Sequence, residues 1–116
     1  MSNGWIGVDF DGTLAVYHGF QGVTHTGAPV PSMVHRVKVL LAQGEDVRLF
    51  TARAFNYRRD PAVRLAIDSW MNENLGVVLP VTDVKDHEMK YYLDDKAVGV
   101  EFNTGRLKSP IPQESL

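Results

Sequence analysis

Apolar residues are laid along the chain in two rhythms. Short, nearly unbroken apolar stretches occur at 4–10 (GWIGVDF), 46–52 (DVRLFTA), 77–79 (VVL), 90–95 (KYYLDD) and 98–102 (VGVEF). Stretches of this length, bounded by glycine or charged residues, predict strands, and unbroken ones predict burial on both faces. Between them lie two longer segments with apolar residues at helical spacing. In 31–44 these are Val34, Val37, Leu40 and Leu41, with Pro31 and Ser32 marking the start and Gly44 the stop. In 60–76 they are Val63, Ile67, Trp70 and Met71, with Asp60 as N-cap, Pro61 at the first helical position and Gly76 as C-cap.

The remaining segments show neither rhythm. Residues 11–30 are rich in Gly, Thr, His and Pro and predict a loop with a small hairpin; 53–59 also read as a loop. From Asn103 the chain carries two prolines and no period, which predicts a surface tail over 103–116. Strands alternating with amphipathic helices predict one α/β domain, residues 1–116. Its core is a Rossmann-like parallel sheet of about five strands flanked by helices. In such sheets ligands sit beyond the carboxyl ends of the strands, where strand order reverses.

Composition narrows the chemistry. The chain has 116 residues, 44% hydrophobic, a net charge of −2, and no cysteine. Disulfides, thiolate nucleophiles and cysteine-ligated zinc are excluded. The slightly acidic balance does not favour nucleic acid as the main partner. No apolar run approaches a membrane span, so no membrane partner is expected. MSNGW lacks a basic stretch followed by an apolar one, so the expected location is cytoplasmic.

The strand assignment turns scattered polar residues into one edge. Asp9 and Asp11 follow the first strand, Thr51 and Arg53 end the second, Lys85 follows the third, and Asp94 and Asp95 end the fourth. Four crowded carboxylates repel one another unless positive charge is present. Hard oxygen donors of this number suit Mg²⁺, which takes one or two carboxylates and keeps places for water and a substrate phosphate. The Thr51 hydroxyl and the backbone N–H groups of the turn at Gly12 suit phosphate oxygens. One aspartate of the pair in DFDGTL can attack phosphorus, and the other can carry a proton to and from the leaving oxygen. A bare Asp-Gly turn is the competing explanation for DFDGTL. For Arg53, Arg58 and Arg59 it is solvated loop arginines.

DFDGTL, then FTAR, a lysine and YLDDKAV in that order resemble the haloacid dehalogenase superfamily of phosphohydrolases. The ordered set, spanning Asp9 to Asp95, is far more specific than any member of it. The resemblance implies a phosphate-monoester hydrolase using Mg²⁺ and an aspartyl-phosphate intermediate. In it Asp9 is the nucleophile and a metal ligand. Asp11 is the general acid and base, and its carbonyl is a second ligand. Asp95, supported by Asp94, completes the metal site. Gly12, Thr51, Ala52 and Arg53 form the implied phosphate and substrate contacts. The lysine is Lys85, which lacks the proline that often follows it in the family, with Lys90 as rival. Receiver domains use similar residues in a different order, with the acidic pair early, and no aspartate ends the second strand here.

Only 16 residues separate Leu14 from Pro31, and almost none separate Leu79 from Lys85, too few for an inserted cap domain. The expectation is therefore a minimal, capless member acting on a small phosphorylated metabolite such as a nucleotide or sugar phosphate. A homo-oligomer partner or the 18–31 loop, with Phe20, would supply the lid. Two alternatives stand beside it: a nucleic-acid 3′-end phosphatase, after a looser resemblance to the phosphatase half of polynucleotide kinase-phosphatases, and a non-catalytic binding protein of the same fold.

Overall fold

The computed structural model describes residues 3–111. Seven elements follow in chain order: β1 (Trp5–Val8), α1 (Pro31–Ala42), β2 (Asp46–Phe50), α2 (Ala54–Arg59), α3 (Pro61–Leu75), β3 (Val81–Thr82) and β4 (Met89–Leu93). The strands form one sheet in the order β3-β2-β1-β4, and every pairing is parallel. β1 therefore lies between β2 and β4. The chain leaves β1 towards β2 and β3, then returns to the opposite side as β4. That reversal opens a crevice at the carboxyl end of β1.

All four residues of β1 are buried, as its unbroken apolar character predicts. Alternation along the strands sorts the two faces. Val8, Val47 and Leu49 point to the main core, where they meet Val37 of α1 and Val63 and Ile67 of α3. Phe10, just beyond β1, meets Trp70 edge-on at 5.0 Å in the same core. On the other face Phe50 sits between Trp5 and Tyr92, with ring centroids 6.2 and 4.8 Å away.

α3 begins and ends as its caps dictate. The Asp60 side chain accepts from the Ala62 N–H at 2.9 Å, Pro61 opens the first turn, and Gly76 closes it in the left-handed region at φ 78°. α1 starts at Pro31 without a side-chain cap.

The structure corrects three expectations. Residues 54–59 are a helix, α2, too short for its period to show in sequence; Asp60 then breaks to extended geometry as the cap of α3. The third strand is Val81–Thr82 instead of 77–79. Val77 and Val78 are exposed, and pairing begins only where the Pro80 carbonyl accepts the Leu49 N–H at 2.8 Å. Proline has no N–H to give a ladder, so the strand starts after it.

The sheet has four strands, not five. Residues 98–102 join no strand of the sheet. Asn103 and Gly105, with φ of 63° and 77°, turn the chain back on itself. Val100 then bridges Leu107 antiparallel, and Phe102 stays exposed. The beginning of the expected tail is thus the return arm of a small surface hairpin; its last residues, 112–116, lie outside those described. Among the described residues, no helix is long and apolar enough to cross a membrane.

The 11–30 segment is pinned at both ends. Ala15 bridges Pro29 antiparallel, the Val16 N–H donates to the Ala28 carbonyl at 2.7 Å, and Trp70 Nε1 donates to the Gly27 carbonyl at 2.7 Å. A Cβ on Gly27 would meet the Val16 carbonyl oxygen at 1.9 Å, a backbone clash that no side-chain rotation relieves. Gly27→Ala is expected to cost about 1–3 kcal/mol of unfolding free energy, as overpacking does. Urea unfolding monitored by the fluorescence of Trp5 and Trp70 measures it, and an unchanged midpoint would show the loop to be unpinned.

Candidate active site

The carboxyl ends of β1, β2 and β4 meet around one cavity of about 460 Å³. Asp9, Asp11, Thr51, Ala52, Asp94 and Asp95 all line it. The sheet register brings them together: the Asp9 N–H donates to the Leu93 carbonyl at 2.9 Å, and the Thr51 N–H donates to the Thr82 carbonyl at 3.0 Å. Asp9 follows β1 directly, and Asp94 and Asp95 follow β4 directly, so parallel pairing of the two strands sets the carboxylates side by side.

The turn after β1 is wound tightly. The N–H groups of Leu14 and Ala15 both donate to the Phe10 carbonyl, and the Gly12 N–H donates to the Ala15 carbonyl at 2.8 Å. Gly12 has φ 87°, and a Cβ there would meet Asp95 Oδ2 at 2.9 Å. Glycine is thus required twice, for the turn and for the close approach of the acid. Thr13 Oγ1 donates to Asp95 Oδ1 at 3.2 Å, fixing that carboxylate against the turn.

Asp9 bears the electrostatic consequence. Burial, opposed by the Phe10 N–H at 2.9 Å, and then a hydrogen bond and charge repulsion from Asp95, with repulsion from Asp94, push its carboxyl up to about 7. The same three carboxylates, added to burial, hold the Tyr92 phenol well above its usual range. Among the described residues, no three His, Asp or Glu side chains converge as a ready-made metal cluster. The donor set nevertheless fits a hard divalent cation. Asp9, Asp94 and Asp95 line one cavity, where carboxylates repel one another unless positive charge is present, and Mg²⁺ needs no more than one or two of them.

Arg53 does something its sequence position does not reveal. Its Nε and Nη2 donate to the two oxygens of Asp11 at 2.8 and 3.0 Å, a bidentate pair. Its Nη1 donates to the carbonyls of Val23 and His25, so one guanidinium ties Asp11 to the 18–25 loop. The Arg53 N–H also donates to Thr51 Oγ1 at 3.1 Å. The buried Thr51 hydroxyl therefore has its acceptor side occupied and its proton free to donate into the cavity.

The lysines are placed differently from expectation. Lys85 is exposed and does not line the cavity. The 83–88 connection leaves the cavity at once: Asp83 lines it, but Asp86 already accepts from Trp5 Nε1 at 2.8 Å, and the Glu88 carbonyl accepts the Trp5 N–H. Lys90 pairs with Glu45 at 2.6 Å, away from the cavity, as its place early in β4 requires. The lysine that lines the cavity is Lys96, next to Asp95. Sequence reasoning also passed over Tyr17 and Tyr92 as lining residues. Tyr92 was readable, because alternation in β4 sets it opposite Leu93. Tyr17 was not, because the course of its loop is set by tertiary bonds. Arg58 is drawn off by Asp83, at 3.0 and 3.2 Å. His18 and His25 border a separate recess that shares Asp11 and Tyr17 with the cavity.

No family model and no curated protein matches this chain. Among solved structures, a conserved protein from Bacteroides thetaiotaomicron is similar in fold, with a TM-score of 0.57 and 20% sequence identity. The alignment covers 84% of this chain and 79% of that one.

The raised Asp9 carboxyl has a thermodynamic signature. Without metal, the folded protein keeps a proton that the unfolded chain releases above its ordinary value of 3.8. The folded state thus binds more protons between that value and about 7, and the Asp9 contribution to stability falls as pH rises through this window. Asp9→Asn removes the effect. In EDTA its Tm is expected to exceed that of the wild type at pH 8 and to approach it near pH 4. Equal Tm values at pH 8 would show that Asp9 ionises without cost.

Proposed function

We propose that this protein is a phosphate-monoester hydrolase of the haloacid dehalogenase type, acting on a small phosphorylated molecule. The observation that carries the reading is the meeting of Asp9, Asp94 and Asp95 around one cavity, beside the Thr51 hydroxyl, at the carboxyl ends of parallel strands. The order of DFDGTL, FTAR and LDDKAV supports it.

On this reading an Asp9 carboxylate oxygen attacks phosphorus, and the bond from phosphorus to the ester oxygen breaks. Asp11 delivers a proton to that leaving oxygen, then takes one from water, which attacks the aspartyl-phosphate and releases orthophosphate from Asp9. Both oxygens of Asp11 face Arg53, so an Arg53 contact opens when Asp11 carries its proton. The Thr51 hydroxyl donates to a phosphate oxygen, with Lys96 as the nearby cation; the Gly12 N–H is already taken by the Ala15 carbonyl. Mg²⁺ would be held by the carboxylates of Asp9 and Asp95, with Asp94 beside them and the Asp11 carbonyl as the second ligand from the first motif. When bound it supplies charge neutralisation for the acids and the phosphate. A cavity lined by Asp83 as well as the four acids, with Arg53 and Arg58 both paired, suits a small ester better than a polyanionic nucleic-acid end.

The test is phosphate release from a panel of monoesters with Mg²⁺ and with EDTA. Release is expected only with metal. Asp9→Asn is expected to lower it by on the order of 10³-fold or more. Lys96→Ala is expected to cost about tenfold or more, as loss of a charge-assisted contact to phosphate does, while Lys90→Ala stays within about twofold of wild type. Full activity in Asp9→Asn would overturn the nucleophile, and equal loss in both lysine variants would overturn the placement of the phosphate beside Lys96.

A further inference from the structure

A smaller recess, distinct from the one bordered by His18 and His25, opens off the cavity, and its chemistry differs. It encloses about 220 Å³ and shares Asp11, Tyr17 and Ala52 with the acidic cavity. Beyond these it is walled by Phe20, Val23, Arg53 and Asn56. Its charges are already paired, Arg53 with Asp11. What remains towards a ligand is two aromatic rings, Tyr17 and Phe20, the Tyr17 hydroxyl, some aliphatic surface, and one amide. The Asn56 side chain makes no hydrogen bond among the described residues, so its donors and acceptor are open.

The position of the recess assigns its occupant. If Asp11 protonates the leaving oxygen, the leaving group lies on the Asp11 side of the phosphorus, and the recess begins at Asp11. A sugar would bring several hydroxyls to walls that offer one amide and one phenol, leaving some of them unpaired. A flat aromatic ring loses little there, can stack on Tyr17 or Phe20, and can pair its edge with Asn56. Phe20 is 75% exposed without a ligand, so a ring laid on it would also cover apolar surface now facing water.

We propose that this recess is a leaving-group subsite for a planar aromatic ring, so that the substrate is a nucleotide-like or aryl phosphate and not a sugar phosphate. The proposal rests on the hydrolase reading only for the direction of the leaving group.

Two measurements on wild type and Phe20→Ala test it. Phe20 is exposed, so its loss leaves the core intact. The first is binding of adenosine and of ribose by ligand-observed NMR, which needs no turnover. The second is kcat/KM for adenosine monophosphate, phenyl phosphate and ribose 5-phosphate with Mg²⁺. Adenosine is expected to bind and ribose not, and Phe20→Ala is expected to weaken adenosine about tenfold. Both ring esters are expected to exceed ribose 5-phosphate by about tenfold or more. A preference for adenosine monophosphate would identify a base set back by a ribose, and a preference for phenyl phosphate a ring directly on the ester oxygen. Hydrolysis that favours ribose 5-phosphate, or that ignores Phe20→Ala, would overturn the subsite and leave the hydrolase standing. Adenosine binding that is lost in Phe20→Ala, with no phosphate released from any ester, would support the ring site and overturn the hydrolase. Adenosine binding absent in wild type would overturn the subsite.

Discussion

β1 is hydrogen-bonded along both edges, to β2 in the register Val8↔Leu49 and to β4 in the register Val8↔Leu93. A parallel sheet allows no slippage when both faces of its central strand are buried, because a shift of one residue would turn Val8 out of the core and Gly7 into it. That register decides where the strands end relative to one another. Asp9, Asp94 and the residues after them emerge at one level because their strands stop at one level. The candidate site is a consequence of strand pairing before it is a matter of side chains.

The convergence has an electrostatic cost. Three carboxylates share a partly buried space, and the cost is visible in Asp9, which burial and its neighbours keep protonated up to about pH 7. The structure manages the fourth acid differently. Asp11, on the wall of the same cavity, is neutralised by Arg53. The acids beyond β1 are thus divided into one kept in the crowd and one held apart by a guanidinium. That is a useful separation for groups with different work.

Arg53 has a second consequence. By joining Asp11 to the carbonyls of Val23 and His25, it makes the 18–25 loop part of the site wall. Gly27, locked against Val16, and Trp70, bonded to the Gly27 carbonyl, anchor the same loop to the core at its far end. The loop therefore shapes a recess beside the acids.

Much of this is written in the sequence because it is local. The runs at Trp5 and Val47, the capped segment from Asp60 to Gly76, and the order of the acidic motifs follow from periodicity, caps and spacing alone, and they yield the parallel α/β layout and the acidic edge. The misreadings arise where a decision is non-local. VVL at 77–79 is apolar enough for a strand, but the edge of β2 pairs only beyond Pro80. VGVEF has the composition of a strand, but the left-handed turn at Asn103 and Gly105 folds it onto the following residues. Lys85 has the expected spacing, but the connection carrying it turns from the cavity towards Trp5. Arg53 looks like a solvated arginine until the fold sets Asp11 and two loop carbonyls around it. The sequence by itself determined which residues could form strands, helices and an acidic edge, since these depend on neighbours a few positions apart. Only the tertiary structure decided which charges pair and which cations reach the cavity, since those energies depend on distances between segments tens of residues apart.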